Sequence, residues 1–186
     1  MKIIAGSLKN KKLCFIKSKT TRPLRNFVKE NIFNIIINSN IAKIDLKKTN
    51  VLDLYCGIGS FGIECISRNV ISVTFVERDK EAISTLKKNL KDLSVKNNAK
   101  IYYGSVDKFI NLKTKNKRFD IIFLDPPYKD NLFISNLKKI KKANIFTPNH
   151  LLIIHRESSS NEPLEEVIKI KLIKKYGRSK IIFGNF

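Results

Sequence analysis

Two short stretches of this chain carry residue types whose order suits chemistry. The first is Asp125-Pro126-Pro127-Tyr128. Proline has no N–H and a fixed φ, so the carbonyl of Pro126 is expected to face outward, free of any strand ladder, beside the Asp125 carboxylate. Two acceptors in fixed geometry suit an exocyclic amine on a nucleobase. The lone pair of such a nitrogen is delocalised into the ring, and acceptors on both N–H bonds favour a pyramidal nitrogen that can attack a methyl group. Tyr128 can stack on the base, and orienting two reactants is worth roughly 7–11 kcal/mol. A turn of this composition could merely end a strand. The order of acceptor, rigid pair and aromatic makes the chemical reading the better one, with Asp125, Pro126, Pro127 and Tyr128 as the catalytic candidates.

The second stretch is Asp53-Leu54-Tyr55-Cys56-Gly57-Ile58-Gly59-Ser60-Phe61-Gly62. Glycines at 57 and 59 let backbone approach a ligand closely. With Gly62 they also satisfy the dinucleotide fingerprint, so a dinucleotide dehydrogenase is a competing reading. Asp53 argues for S-adenosylmethionine instead, because a carboxylate at this strand end disfavours a pyrophosphate and suits the ammonium of a methionine moiety. Glu77, at the end of the next strand, can accept both ribose hydroxyls, a feature common to both cofactors; the alternative is a solvated charge. Asp53, Tyr55, Gly57, Gly59 and Glu77 are the cofactor candidates. Ser105, after the third strand, is either an adenine contact or a helix N-cap, with Asp107 two positions on.

Charge points to the partner. Lys and Arg number 37 against 16 Asp and Glu, a formal net charge of +21 with pI ≈ 10.0, and a surface this positive attracts polyanions, nucleic acid first. Lys, Asn and Ile are abundant together, as in A- and T-rich coding, which inflates Lys but does not account for the shortage of acids. Cys14, Cys56 and Cys65 are odd in number, widely spaced and without a CxxC, so they indicate a reducing cytoplasm, not a disulfide framework. None stands beside the Asp-Pro-Pro-Tyr turn, where methylation of a ring carbon would need a nucleophile. His150 and His155 have no Cys or carboxylate at ligand spacing and read as ordinary polar residues, so no metal is expected. No apolar run approaches the ~18–20 residues of a membrane span, and Met1–Gly6 lacks the apolar stretch of a signal peptide. A cytoplasmic protein is expected.

The elements that must position these residues alternate. Lys2–Ala5 and Lys11–Ile16 read as short strands around a turn, and helical spacing runs from Leu24 to Ile37 after Pro23. Strands follow at Val51–Tyr55, Ile71–Val76, Lys100–Tyr103, Phe119–Leu124 and Leu151–His155. Helices lie between them, through Ser67 and at Asp79–Leu93, Val106–Leu112 and Leu132–Ile140. A closing hairpin spans Val167–Lys175 and Ser179–Phe183. Alternation of this kind predicts an α/β, doubly wound, Rossmann-like parallel sheet whose ligands bind beyond the carboxyl ends of the strands. Residues 1–20 are expected to form an N-terminal β-hairpin extension and 21–186 the remaining domain.

With both turns in place, the chain resembles the RsmD-like class I methyltransferases that act on guanine N2 of bacterial 16S rRNA. The resemblance rests on Met1-Lys2-Ile3-Ile4-Ala5-Gly6, on Thr21-Arg22-Pro23 with Lys29-Glu30 and Phe33-Asn34, and on Tyr176-Gly177-Arg178-Ser179, besides the two turns. Leu24 and Phe27 stand where that family more often has Thr and Arg. The resemblance implies a seven-stranded sheet with an antiparallel last strand, S-adenosyl-L-methionine as cofactor, and a monomer acting on an assembled or assembling 30S particle. Arg22 and Arg178 are then candidates for contact with substrate RNA, against a bland reading as surface cations. Methylation of DNA adenine or cytosine amines uses the same turn but usually a separate recognition domain. A non-catalytic nucleic-acid-binding protein is the reading from another class, and the intact Asp53, Glu77 and Asp125–Tyr128 set argues against it.

Overall fold

The computed structural model describes residues 1–16, 24–112, 118–127, 130 and 132–186. After the N-terminal segment come α1 (Asn26–Asn38), β1 (Asn50–Leu54), α2 (Ser60–Ser67), β2 (Ser72–Glu77), α3 (Lys80–Asp92), β3 (Ala99–Tyr103) and α4 (Val106–Asn111). Then follow β4 (Phe119–Leu124), α5 (Phe133–Ala143), β5 (Phe146–Glu157), β6 (Lys169–Tyr176) and β7 (Ser179–Asn185). The strands form one seven-stranded sheet in the order β3-β2-β1-β4-β5-β7-β6. Strands β1 to β5 pair in parallel, and β7 inserts antiparallel between β5 and β6. The expected doubly wound sheet with an antiparallel last strand is therefore present. The order reverses between β1 and β4, and that crevice is where such sheets bind ligands.

Alternation along the strands splits the core into two layers. Val51, Phe75, Phe123, Ile153 and Ile181 face α1, α2 and α3. Leu52, Leu54, Val76, Leu124, Ile154 and Ile182 face α4 and α5. The helices match their faces. In α3, Asp79 caps the N-terminus by accepting from the N–H of Ala82 at 2.7 Å, and Ala82, Ile83, Leu86 and Leu90 make the buried stripe. All eight residues of α2 are buried, because the N-terminal segment lies over the helix.

The N-terminal segment pairs with itself only over its first turns, and residues 17–20 of the expected extension lie outside the described residues. Its two arms meet at an antiparallel bridge, Lys2 to Lys12. Their backbones bond across it, Ile3 N–H to the Lys11 carbonyl (3.0 Å), Asn10 N–H to that of Ile3 (2.9 Å) and Leu13 N–H to that of Met1 (3.1 Å). Side chains then fasten it to α2. Glu64 of α2, fully buried, accepts from the N–H of Ile4 through Oε2 (2.8 Å) and of Ala5 through Oε1 (3.0 Å). Ser67 Oγ accepts from the N–H of Leu8 (3.0 Å) and donates to the carbonyl of Ala5 (2.5 Å). Lys29 of α1, also fully buried, lies 3.3 Å from Glu64 Oε2 and donates to the carbonyl of Lys2. Burial pushes the Lys29 ammonium below its usual range, and Glu64 pulls the other way.

Strand β5 also starts earlier than Leu151. Its register against β4 jumps from Phe119↔Phe146 to Ile121↔Leu151, so residues 147–150, Pro148 among them, bow out of the ladder. His150 ties this bow to the C-terminus. Its Nε2 accepts from the N–H of Phe186 (2.9 Å), so the ring proton is on Nδ1, which donates to the carbonyl of Thr147 (2.7 Å). Burial lowers the His150 pKa from its ordinary 6.5; the Thr147 carbonyl opposes this and Lys171 adds to it. A histidine whose folded pKa is lowered binds fewer protons than the unfolded chain just below the ordinary value. Its contribution is complete above that value and lost as pH falls toward the folded pKa. The fall in Tm between about pH 7 and about pH 5 is therefore expected to be smaller in His150→Gln than in the wild type, as followed by circular dichroism.

Candidate active site

Asp53 and Asp125 come together at the β1–β4 crevice. Asp53 is the penultimate residue of β1 and points to the α2 layer. Asp125 directly follows β4, and its N–H reaches the carbonyl of Leu54 at 3.4 Å. Asp53 Oδ2 accepts from the N–H of Gly62 at 2.9 Å, which fastens the glycine turn to the strand it leaves. Asp53 Oδ1 is buried with no hydrogen-bond partner. Burial pushes the Asp53 carboxyl well above the usual range; the Gly62 N–H opposes this, and the charges of Asp125 and Glu77 raise it further. Among the described residues no Lys or Arg forms a salt bridge with Asp53 or Glu77. An orphaned oxygen in an acid-rich crevice fits a cationic ligand, as both the sulfonium and the ammonium of S-adenosylmethionine are.

The glycines divide their work. Gly57 (φ +54) has open space where a Cβ would stand, so ligand can approach its backbone. Gly59 adopts φ +83 at the head of α2. Gly62 is required by packing, since a Cβ there would lie 2.3 Å from Phe75 Cε1 and 2.8 Å from Val73 Cγ1. Gly62→Ala is expected to cost about 1–3 kcal/mol by overpacking, and to weaken cofactor binding by displacing the N–H that Asp53 uses. Thermal denaturation and calorimetry together read both effects, and an unchanged Tm would mean that the helix head yields freely.

Glu77 is not a solvated charge. Its Oε2 accepts from the N–H of Gly57 (2.8 Å), and its Oε1 from the N–H groups of Arg78 (2.8 Å) and Asp79 (2.9 Å). It therefore organises the cofactor turn and still offers lone pairs to the crevice. Beside it is a cavity of about 270 Å³ lined by Tyr55, Glu77, Ser105, Val106, Asp130 and Asn136 among others. Tyr55 holds a left-handed φ of 57°, rare for a large side chain, and its hydroxyl accepts from Asn136 Nδ2 at 2.9 Å. Burial foremost pushes the Tyr55 phenol up, so it stays protonated. Ser105 Oγ caps α4 by accepting from the N–H of Lys108 (3.3 Å), the N-cap of the two readings, and the residue also lines the cavity. Asp107 pairs with Lys139 across the cavity mouth.

The reaction turn departs from expectation in one respect. The carbonyls of Pro126 and Pro127 are not free: Arg156 Nη1 donates to both, at 3.3 and 3.2 Å. One lone pair of the Pro126 oxygen is thereby taken, and Asp125 becomes the principal acceptor of the turn. Arg156 is buried, bonds Glu162 through Nε (2.6 Å) and Nη2, and lies over the ring of Phe133. Asp125 Oδ1 is 2.8 Å from Nδ1 of the buried His155. His155 and Arg156 are the residues against this turn that sequence reasoning missed, His155 having read as an ordinary polar residue. Their only local signal is a charged or polar pair at the end of an apolar strand, and the pairing register is what brings them to the turn.

Tyr128 and Arg22 lie outside the described residues. Arg178 is exposed in the β6–β7 turn, whose backbone carbonyl accepts from the N–H of Ser158. It is two residues from Tyr176, whose ring meets the exposed Phe27 edge-on at 6.0 Å. Cys56, next to the glycine turn, is no nucleophile. Burial foremost, with the charges of Asp53 and Glu77, holds its thiol well above the usual range.

Strand order, glycine turn and acidic turn define a class I methyltransferase fold. The chain belongs to the family described as Conserved hypothetical protein 95, whose model matches residues 1–185. This is the RsmD family that the opening block and the Thr-Arg-Pro block had indicated. Among its relatives, the ribosomal RNA small subunit methyltransferase D of Buchnera aphidicola subsp. Baizongia pistaciae is 38% identical over 162 residues, 87% of this chain and 79% of that protein. The Haemophilus influenzae protein of the same name is 33% identical over 165 residues, 88% of this chain and 81% of its own. A solved structure titled "putative methylase" from Haemophilus influenzae superposes with a TM-score of 0.79 at 28% identity, covering 99% of this chain and 97% of that one. An Escherichia coli structure at 22% identity shares the fold with a TM-score of 0.82, covering 100% and 97% of the two chains. Among the described residues no helix is long and apolar enough to cross a membrane.

Proposed function

We propose that this protein methylates the exocyclic N2 of a guanine in small-subunit ribosomal RNA, within an assembled or assembling 30S particle, using S-adenosyl-L-methionine. The observation that carries the reading is the placement of Asp125. Its carboxylate stands on a rigid turn beside the crevice of Asp53 and Glu77, with one oxygen anchored and its side chain about one quarter exposed. The names of the curated relatives support ribosomal RNA as the substrate, and so does the net charge of +21.

S-adenosylmethionine supplies an electrophilic methyl group on a sulfonium. The chain's own residues do the rest. Asp53, with its orphaned oxygen, and the open backbone at Gly57 would hold the amino-acid end. Glu77 would hold the ribose, and the Tyr55–Ser105 cavity the adenine. Asp125 accepts an N–H of the guanine amine, which localises the nitrogen lone pair. As the new N–C bond forms the methyl–sulfur bond would break, its electron pair leaving with sulfur as a neutral thioether, and Asp125 receives the amine proton. Tyr128 stacks on the guanine, and Arg22 and Arg178 meet RNA phosphates.

The test is incubation of the purified protein with labelled S-adenosylmethionine and, separately, naked 16S rRNA, unmethylated 30S particles and duplex DNA, followed by identification of the labelled nucleoside. N2-methylguanosine from the rRNA or the particle is expected. Label in DNA, or in any other nucleoside, overturns the reading.

A further inference from the structure

We propose that His155 is the positioning residue of the methyl-transfer step: by donating from Nδ1 to Asp125 Oδ1 it fixes the plane of the carboxylate and turns Oδ2 toward the amine. The inference rests on the methyl-transfer reading above and assigns a role to a residue outside both sequence motifs.

The sheet brings the two residues together. Leu124 of β4 is in register with Ile154 of β5, so the next row sets Asp125 beside His155. Both side chains belong to the layer of Phe123 and Ile153. A carboxylate only accepts, so the 2.8 Å contact places a proton on His155 Nδ1. The imidazole cannot drift. It is 6% exposed, and its backbone is locked between β4 and β7, opposite Ile181. Asp125 has no such restraint of its own, because the terminal torsion of an aspartate is broad and two-fold. On a turn beyond the strand, the partner at Oδ1 is, among the described residues, what chooses its carboxylate plane.

Arg156 completes the device. Successive residues of a strand point to opposite faces, so as His155 holds the carboxylate from one side of the sheet, Arg156 holds the Pro126 and Pro127 carbonyls from the other. Strand β5 thereby fixes both the backbone and the side chain of the reaction turn. The proton of the amine goes to Asp125, and the Nδ1 proton stays on His155 throughout.

The test uses steady-state kinetics on whichever rRNA substrate the wild type methylates, with His155→Leu, His155→Asn and His155→Gln. An Asn amide nitrogen stands close to the place of Nδ1, whereas a Gln nitrogen reaches the place of Nε2. At metal sites, loss of the outer hydrogen-bond partner of a ligating side chain costs about 10–100-fold, and a loss of the same order is expected for a carboxylate oriented in the same way. His155→Leu and His155→Gln are therefore expected to lower kcat by about that factor, with His155→Asn restoring most of it. The Kd for S-adenosylmethionine, by calorimetry, is expected to stay within about twofold in all three, since none of them touches the cofactor crevice. In wild-type protein, ¹⁵N NMR of the imidazole is expected to show a protonated Nδ1. Should His155→Leu fail to fold, the Asn–Gln contrast and the NMR signal decide. Unchanged kcat in His155→Gln, or equal losses in Asn and Gln, overturns the positioning role while leaving methyl transfer intact. Absence of turnover by the wild type on every RNA overturns the reaction reading, and this role with it.

Discussion

Asp125→Asn is expected to lower kcat for methyl transfer by about 10²–10⁴-fold, the range for loss of a proton acceptor at the reacting group, with the Kd for S-adenosylmethionine nearly unchanged. The substitution is isosteric, so the argument concerns hydrogen-bond polarity alone. His155 Nδ1–H donates to one oxygen of Asp125, and in the proposed reaction an amine N–H donates to the other. A carboxylate accepts both. An amide offers one acceptor and one NH2, so either the histidine or the substrate meets a donor. Asn also takes no proton from the new ammonium centre. Calorimetry with the cofactor and single-turnover kinetics with RNA separate the two quantities. If affinity and rate fell in parallel, Asp125 would be a folding residue of the crevice and Pro126 would have to carry the chemistry.

The largest loss of stability is expected from Glu64→Gln. Its carboxylate receives four donors: the Ile4 and Ala5 N–H groups, Lys29 Nζ and Arg68 Nε. An amide in its place turns its own NH2 toward some of them and leaves the Lys29 charge buried without a counter-ion. Breaking a buried pair from one side costs about 3–5 kcal/mol. For a chain of roughly 150–250 residues, at about 2–4 °C per kcal/mol, that corresponds to a Tm lower by about 6–20 °C. Scanning calorimetry on the two proteins measures it. A shift of a degree or two, as about 0–1 kcal/mol would give, would show that water reaches this cluster.

The contrast between these residues explains what the sequence disclosed. Asp53, the glycines, Glu77 and the Asp-Pro-Pro turn were legible because their roles follow from local chain geometry at strand ends, and alternating strands and helices place strand ends on one edge. His155, Arg156, Glu64 and Lys29 were not legible. His155 faces Asp125 only through the register of two strands 30 residues apart, and Glu64 meets Ile4 across 60. What the sequence did not disclose of the N-terminal segment is its anchorage on α2, for the same reason. Residues 2–5 and 11–16 have the composition of strands; they bond to each other, and residues 2–5 bond also to the buried side chains of α2. The start of β5 was under-read because Pro148 marks a break in pairing, which a sequence cannot distinguish from the end of a strand.

The insertion of β7 between β5 and β6 has a consequence for the order in which the molecule is made. Residues 146–157 and 169–176 leave the ribosome before 179–185, yet they do not pair with one another. On that side β5 has no neighbour until β7 has been synthesised, and β5 is the strand that holds the reaction turn in place. A nascent chain that already contains the complete glycine turn and the Asp-Pro-Pro turn therefore lacks one neighbour of the strand that buttresses the second of them. The side of β5 away from β4 is covered only once β7, the last strand of the sheet in chain order, has been made.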